Sequence, residues 1–208
     1  MFDFDGVILE SAKIKTQAYR KLFASYPKSE EIVNYHLENL GISRFEKFAY
    51  YFKEILKRPY TPQDSERLGK EYSRIIFRQV LEAPFVPGTF AFLEKSNLLH
   101  FIASGTPEEE LLRVVRERDL SKYFVEIYGS PPKKWEIIRK ILKNNSLALN
   151  ETVLIGDGKT DLDAAEKCGI PFIARLTEEN MEFLQATPWK IKDLTSLTNI
   201  LTQMQSNN

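Results

Sequence analysis

Asp3 and Asp5 stand two positions apart in Met1-Phe2-Asp3-Phe4-Asp5-Gly6-Val7-Ile8, and Asp157 and Asp161 stand four apart in Gly156-Asp157-Gly158-Lys159-Thr160-Asp161. Alternate side chains of a strand share a face, so the first pair can leave a strand end towards one point. Gly6 permits a tight turn or a close backbone approach behind them. Four acids converging at one place repel one another unless a cation lies among them, because like charges raise a carboxyl pKa and a divalent cation favours the ionised form. Carboxylate, carbonyl and water oxygens suit a hard ion, Mg2+. Ser104-Gly105-Thr106 adds a hydroxyl and backbone N–H groups at a helix start, and Lys134, or its neighbour Lys133, adds a positive charge. Metal, point charge and N–H donors are what a phosphate group needs. One Asp of the first pair can attack phosphorus and form an aspartyl-phosphate. The other can protonate the leaving oxygen and later activate water. Taken alone, Asp3–Gly6 also admits the lesser reading of a solvated acidic turn; the later clusters count against it.

The elements that must position these residues follow from patterning. From Ser11 to Leu81 the apolar spacing is helical, with almost no strand signal. A first helix carries Ala12, Ile14, Ala18, Tyr19, Leu22 and Phe23 and ends near Tyr26-Pro27; a second follows Ser29 and ends at Asn39-Leu40-Gly41. The third is expected to start at a Ser43 N-cap with Glu46 completing a capping box. The fourth starts at Thr61-Pro62, with proline at the favoured first position. The Phe45, Phe48 and Phe52 stripe, beside Tyr50 and Tyr51, reads as the core of this helical insert. From Phe85 onwards strands alternate with helices: strands over 98–103, 123–128, 152–155 and 170–174, and helices over 89–95, 133–142 and 162–168. Thr106 is expected to cap the helix after the first of these strands, with Pro107 as its first residue. The tail carries one short helix around 194–201, and positions 203–208 are expected to fray. This βα spacing predicts an α/β fold with a parallel sheet covered by helices. Such sheets bind ligands at the carboxyl ends of their strands, where Asp3/Asp5, Ser104-Gly105-Thr106 and Asp157/Asp161 fall.

The chain has 208 residues, enough for one large domain or a core with an accessory domain. Lys+Arg and Asp+Glu both number 29, so the formal net charge is zero and nothing draws the chain generally to nucleic acid or an anionic membrane. No apolar run is long enough to span a bilayer, and acids at positions 3 and 5 stand where a signal peptide needs a basic start. Cys168 is the single cysteine, which excludes an intrachain disulfide and a cysteine-rich metal site. These features predict a cytoplasmic protein, a monomer or weak homodimer, with a small-molecule partner.

In this order, Asp3-Phe4-Asp5-Gly6-Val7, Phe101-Ile102-Ala103-Ser104-Gly105-Thr106, Lys134 before Trp135-Glu136-Ile137-Ile138, and Gly156-Asp157-Gly158-Lys159-Thr160-Asp161 resemble the four motifs of the haloacid dehalogenase-like (HAD) hydrolases. Within them the chain is similar to the phosphoglycolate phosphatase and β-phosphoglucomutase-like branch, which carries a helical cap after the first motif. The resemblance implies a Rossmann-like parallel sheet core over 1–10 and 83–208 and a four-helix cap over 11–82. It implies that Asp3 is nucleophile and metal ligand and that Asp5 is the general acid/base and lends a main-chain carbonyl to Mg2+. Ser104 would hold a phosphoryl oxygen, with Gly6, Gly105 and Thr106 beside the substrate, and Lys134 would neutralise charge. Asp157 would be the main fourth-motif ligand, and Asp161 would ligate the metal or orient Lys134. The cap segment Gly41-Ile42-Ser43-Arg44 resembles the specificity loop of the mutase-like members, so Arg44 is a candidate for a substrate anion, with His36 and Lys47 nearby. Lys15 stands where mutase-like members carry a histidine, and Glu10 where phosphatases carry Asp. Only Met1 and Phe2 precede Asp3, where the family has several apolar residues; a short strand and a start that has lost residues both account for this.

The activity these expectations point to is Mg2+-dependent phosphatase action on a small phosphorylated metabolite. A sugar phosphomutase is the alternative enzyme, disfavoured by the missing histidine. A non-catalytic phosphometabolite-binding protein is the third reading, and it leaves the pairing of Asp3 with Asp5 unexplained.

Overall fold

A parallel sheet carries the functional residues in the computed structural model, which describes residues 1–206. Five helical segments come first: α1 (Ala12–Leu22), α2 (Ser29–Glu38), α3 (Arg44–Tyr50) continuing as a π-helical turn (Tyr51–Ile55), α4 (Pro62–Glu82) and α5 (Thr89–Lys95). Then follow β1 (Phe101–Pro107), α6 (Glu108–Glu117), β2 (Glu126–Ser130), α7 (Lys134–Asn144), β3 (Leu154–Gly156), α8 (Lys159–Cys168), β4 (Phe172–Arg175), α9 (Met181–Leu184), β5 (Lys190–Ile191) and α10 (Leu197–Ser206).

The first three residues knit the sheet together. Phe2 donates to the Phe101 carbonyl at 2.8 Å and accepts from Ala103 N–H at 2.9 Å, while Asp3 donates to the Ile155 carbonyl at 2.9 Å. Phe2 bridges in parallel to both Ile102 and Ile155, so the spatial order is β2, β1, the Phe2 segment, β3, β4, β5, all parallel. The short strand is therefore central. Phe2 and Phe4 are both buried in the main hydrophobic cluster, which compensates for its few hydrogen bonds.

The helical cap insertion packs around its own aromatic core: Tyr19, Phe23, Phe48, Tyr51 and Tyr72 are all buried, with Tyr19 and Tyr72 ring centroids 4.8 Å apart. Phe45 and Tyr50 lie at its surface instead. α4 starts as expected, with a Thr61/Asp64 capping box and Pro62 in the first turn. The cap is joined to the sheet by two crossings that pair with each other. Leu9 bridges Phe85 antiparallel, and Glu10 N–H donates to the Pro84 carbonyl at 2.9 Å.

Several local expectations change. The strand expected over 98–103 lies at 101–107, because only from Phe101 are there partners on both sides; Leu98 and Leu99 are exposed. Thr106 and Pro107 thus close β1 rather than cap and start the helix, which begins at Glu108, and the Thr106 hydroxyl is taken by Asp5 and Lys15. Ser43 forms no capping box, since its hydroxyl donates across to Ser130 Oγ at 3.3 Å. The first helix stops at Leu22, and the strand expected over 123–128 begins at Glu126 after a 3-10 turn. α10 runs through Ser206, so the expected fraying does not begin at Gln203; positions 207–208 lie outside the described residues. α9 and β5, four and two residues long, are too short to leave a periodic signal.

Candidate active site

Three backbone features aim the acids. Asp3 ends the short central strand, where Phe4 N–H donates to its Oδ1 at 2.7 Å. The chain then turns at Gly6, whose φ is +76° and whose absent Cβ would overlap the Asp157 carboxylate, so only glycine lets these two strand ends meet. Asp157 follows β3, and its carbonyl is fixed by Asn180 Nδ2 at 2.7 Å. Asp161 lies in the first turn of α8, where its Oδ2 accepts from Gly158 N–H at 2.9 Å.

Ligand oxygens of Asp3, Asp157 and Asp161, all buried, lie within 4.8 Å of one another. Burial, then the neighbouring acids, pushes Asp3 up to about 6 despite Lys134, and pushes Asp157 well above the ordinary carboxylate range. Carboxylates raised by burial and, after it, by one another are what a divalent cation would relieve, so the donor set fits a hard metal. Lys134 Nζ pairs with Asp3 Oδ2 at 3.1 Å and with Asp161 Oδ1. Burial alone would lower this lysine, but Asp161 and Asp3 reverse that and hold it firmly protonated. Lys133, by contrast, is exposed at the start of α7. With both oxygens of Asp161 engaged, that residue orients Lys134 more directly than it offers a free ligand.

Asp5 is outside this cluster. Its Oδ1 accepts from Ser11 Oγ at 2.7 Å, and its Oδ2 accepts from Thr106 Oγ1 at 2.7 Å and from Lys15 Nζ. Burial raises this carboxyl, yet Lys15 and the three hydrogen bonds outweigh it, leaving Asp5 below its ordinary value. Lys15 also donates to Thr106 Oγ1 at 2.7 Å. Ser104 is buried at the same strand end, with Thr106 N–H donating to its Oγ at 3.2 Å.

The cap closes over these groups. Thr160 Oγ1 donates to the Leu40 carbonyl at 2.6 Å. A Cβ on Gly105 would overlap the Gly41 carbonyl oxygen. Arg44, Lys47, His36, Tyr19 and Tyr72 face Asp3, Asp5, Lys15, Ser104 and Asp157 across a cavity of about 60 Å³. Arg44 is not free in this state: it pairs with Glu110, hydrogen-bonds Ser73 Oγ at 2.8 Å and lies over the Tyr72 ring.

The structure thus gathers Asp3, Asp5, Gly6, Lys15, Ser104, Gly105, Thr106, Lys134, Asp157 and Asp161 at one sheet edge, and brings Arg44 to the cavity already paired. Ser11, Glu110 and Asn180 were not found from sequence. Each acts through a fold-dependent contact with a motif residue, and none carries a local spacing signal.

The profile of the haloacid dehalogenase-like hydrolases matches residues 1–175. A phosphorylated carbohydrates phosphatase of Thermotoga maritima is 26% identical over 177 residues, covering 82% of this chain and 81% of that protein. A phosphoglycolate phosphatase of Vibrio parahaemolyticus is 24% identical over 181 residues, covering 81% and 78%. Among solved structures, a β-phosphoglucomutase from Clostridium difficile superposes with a TM-score of 0.79 at 19% identity, over 99% of this chain and 96% of that one, a likeness of fold. The arrangement of Asp3, Asp157 and Asp161 is consistent with an aspartyl-phosphate mechanism. With most of its length matched and its acids so placed, the chain belongs to the haloacid dehalogenase-like hydrolase family.

Proposed function

We propose that the protein is a phosphatase that hydrolyses a small phosphorylated metabolite through a phosphoryl group carried on Asp3. The observation that carries this is the position of Asp3: its carboxylate lies 3.1 Å from Lys134 Nζ and within 4.8 Å of ligand oxygens of Asp157 and Asp161. Lys134 disperses charge on the incoming phosphoryl group and on Asp3. Asp3 attacks phosphorus, the ester P–O bond breaks, and Asp5, which must first take up a proton because Lys15 holds it ionised in this state, gives that proton to the leaving oxygen. In the second half Asp5 takes a proton from water, the water oxygen attacks phosphorus, and inorganic phosphate leaves with the Asp3 carboxylate restored. Ser104 and the backbone N–H groups around Gly105 and Thr106 hold phosphoryl oxygens. Asp3, Asp157 and the main-chain carbonyl of Asp5 would hold Mg2+, with Asp161 a further ligand if it releases Lys134. The ion would supply charge neutralisation on the phosphoryl oxygens.

Two relatives named as phosphatases of phosphorylated carbohydrates and of phosphoglycolate support a small phosphomonoester as substrate. The zero net charge supports a metabolite rather than a nucleic acid as partner. Asp5 supports hydrolysis of phosphate esters, whose alkoxide leaving group needs an acid. The test is inorganic phosphate release with Mg2+ from sugar phosphates, phosphoglycolate, nucleotides and other small monoesters. Release from at least one class, abolished reversibly by chelator, is expected. No release across the whole set, or release indifferent to chelator, contradicts the reading.

A further inference from the structure

β3 and β4 run paired as far as Gly156 and Ala174, and Asp157 and Arg175 come next. There one side chain joins the two strands. Asn180 Nδ2 donates to the Asp157 carbonyl at 2.7 Å and to the Arg175 carbonyl at 2.8 Å, and its Oδ1 accepts from Thr177 N–H at 2.7 Å. Both amide hydrogens and the amide oxygen are used, which fixes the orientation of the group. Asn180 is 0% exposed, so its loss would leave the two carbonyls without these donors. Arg175 carries the contacts outward. Its buried guanidinium pairs with Glu10, between the central strand and α1, and donates from Nε to the Lys192 carbonyl at 3.0 Å. Two residues past Lys192, Leu194 N–H donates at 2.9 Å to the carbonyl of Pro87, between α4 and α5. Both crossings between cap and sheet thus rest on the residue that Asn180 clamps to Asp157, one directly and the other through the 192–194 segment.

We propose that Asn180 and Arg175 are positioning residues that hold Asp157 in place for the metal and link it to the cap crossing at Glu10. Mg2+ affinity is then set in part by residues outside the acid cluster. This rests on the metal site of the phosphatase reading and adds to it what keeps that site in register with the cap. The three acids are aimed differently. Asp3 and Asp161 each have Lys134 and a backbone N–H to orient the carboxylate. The Asp157 carboxylate accepts no hydrogen bond among the described residues, so its backbone alone aims it, and Asn180 fixes that backbone. Partners behind a metal ligand commonly set roughly ten- to a hundredfold of metal affinity. Here the partner's own anchor is the Arg175–Glu10 pair, so a change at Glu10 reaches Asp157 through two buried side chains.

The test is calorimetric titration of Mg2+ alone into substrate-free protein, with urea unfolding of each variant beside it. Asn180→Ala is expected to weaken Mg2+ binding roughly ten- to a hundredfold. Glu10→Gln, which alters no metal ligand, is expected to weaken it about fivefold. Added to Asn180→Ala, Glu10→Gln is expected to cost nothing further, because the connection is already cut. Thr187→Ala is the control for general loosening: it removes a buried hydroxyl that donates to the Leu184 carbonyl at 2.7 Å, and should lower stability while leaving Mg2+ affinity unchanged. Should Asn180→Ala not fold, Arg175→Lys takes its place with the same expectation, since an ammonium lacks the fork that spans Glu10 and the Lys192 carbonyl. Native affinity in Asn180→Ala or in Glu10→Gln overturns the proposal, and so does an equal loss in Thr187→Ala. The titration needs no turnover, so a protein that binds Mg2+ but hydrolyses no ester fails the phosphatase reading while the titration still decides the link. Native protein that takes up no Mg2+ overturns the link itself.

Discussion

Glu110, on α6 beside the sheet, grips Arg44, on α3 of the cap, through both guanidinium nitrogens at 2.6 and 3.0 Å. Ser73 of α4 donates to the same carboxylate at 2.7 Å, so one acid ties two cap helices to the core. Arg44 is 5% exposed, and removing its partner would leave a buried charge unbalanced. Glu110→Ala is therefore expected to cost roughly 3 kcal/mol of stability in urea unfolding, or to open the cap and raise KM at little global cost. Unchanged stability together with unchanged KM would show that this latch contributes nothing.

A second closure contact depends on the absence of an atom. Gly105 backs onto the Gly41 carbonyl, so Gly105→Ala is expected to block full closure rather than unfold the core. Misplacement of reacting groups by about 1 Å can cost on the order of a hundredfold in rate. Steady-state kinetics should show kcat/KM reduced by about that factor, while the melting temperature moves only slightly. Native-like turnover would mean that the loop at Gly41 need not seat on Gly105.

The contrast between these contacts and the acids shows what could be read without coordinates. Asp3, Asp5, Ser104, Asp157 and Asp161 were legible because each follows a short apolar strand, and a parallel sheet brings such strand ends together. The four cap helices were legible from Pro27, Gly41, Pro59 and the Thr61-Pro62 start. Arg44 was visible as a candidate, but its pairing was not. Glu110 lies 66 positions from Arg44, and no pattern in α6 distinguishes it from Glu108 or Glu109. Leu98 and Leu99 misled the strand assignment because apolar composition alone does not reveal which residues find a neighbouring strand.

The acid cluster predicts a pH dependence of stability in metal-free protein. Burial and neighbouring acids raise Asp3 to about 6 in the folded chain, against about 3.9 when unfolded. The folded state therefore binds this proton more tightly, and stability falls as pH rises between those two values. A loss on the order of 2 kcal/mol is expected from about pH 4 to 6 in chelator, seen as a falling melting temperature. The fall should be smaller in Asp3→Asn and in saturating Mg2+. A melting temperature that rises across the same interval in chelator would contradict this assignment of the charges.

Lys15 has the opposite influence on Asp5. Together with Ser11 and Thr106 it outweighs burial and holds Asp5 ionised below the ordinary carboxylate range. This stabilisation is present above the unfolded pKa and is lost as pH falls through the lowered folded value. Lys15→Met is expected to raise the Asp5 pKa and so to move the alkaline limb of the kcat/KM profile upward, because the acid that serves the leaving oxygen must carry its proton. An alkaline limb that stays in place would separate Lys15 from the acid/base function.

The most direct test is whether Asp3 carries the phosphoryl group. Native protein mixed with p-nitrophenyl phosphate and Mg2+, quenched in acid during turnover and digested, is analysed by mass spectrometry. The N-terminal peptide should bear one phosphoryl group on Asp3, and Asp3→Asn should show neither that adduct nor turnover while keeping its fold. Phosphate release by Asp3→Asn at the native rate, or a phosphoryl group found on another residue, would contradict the account.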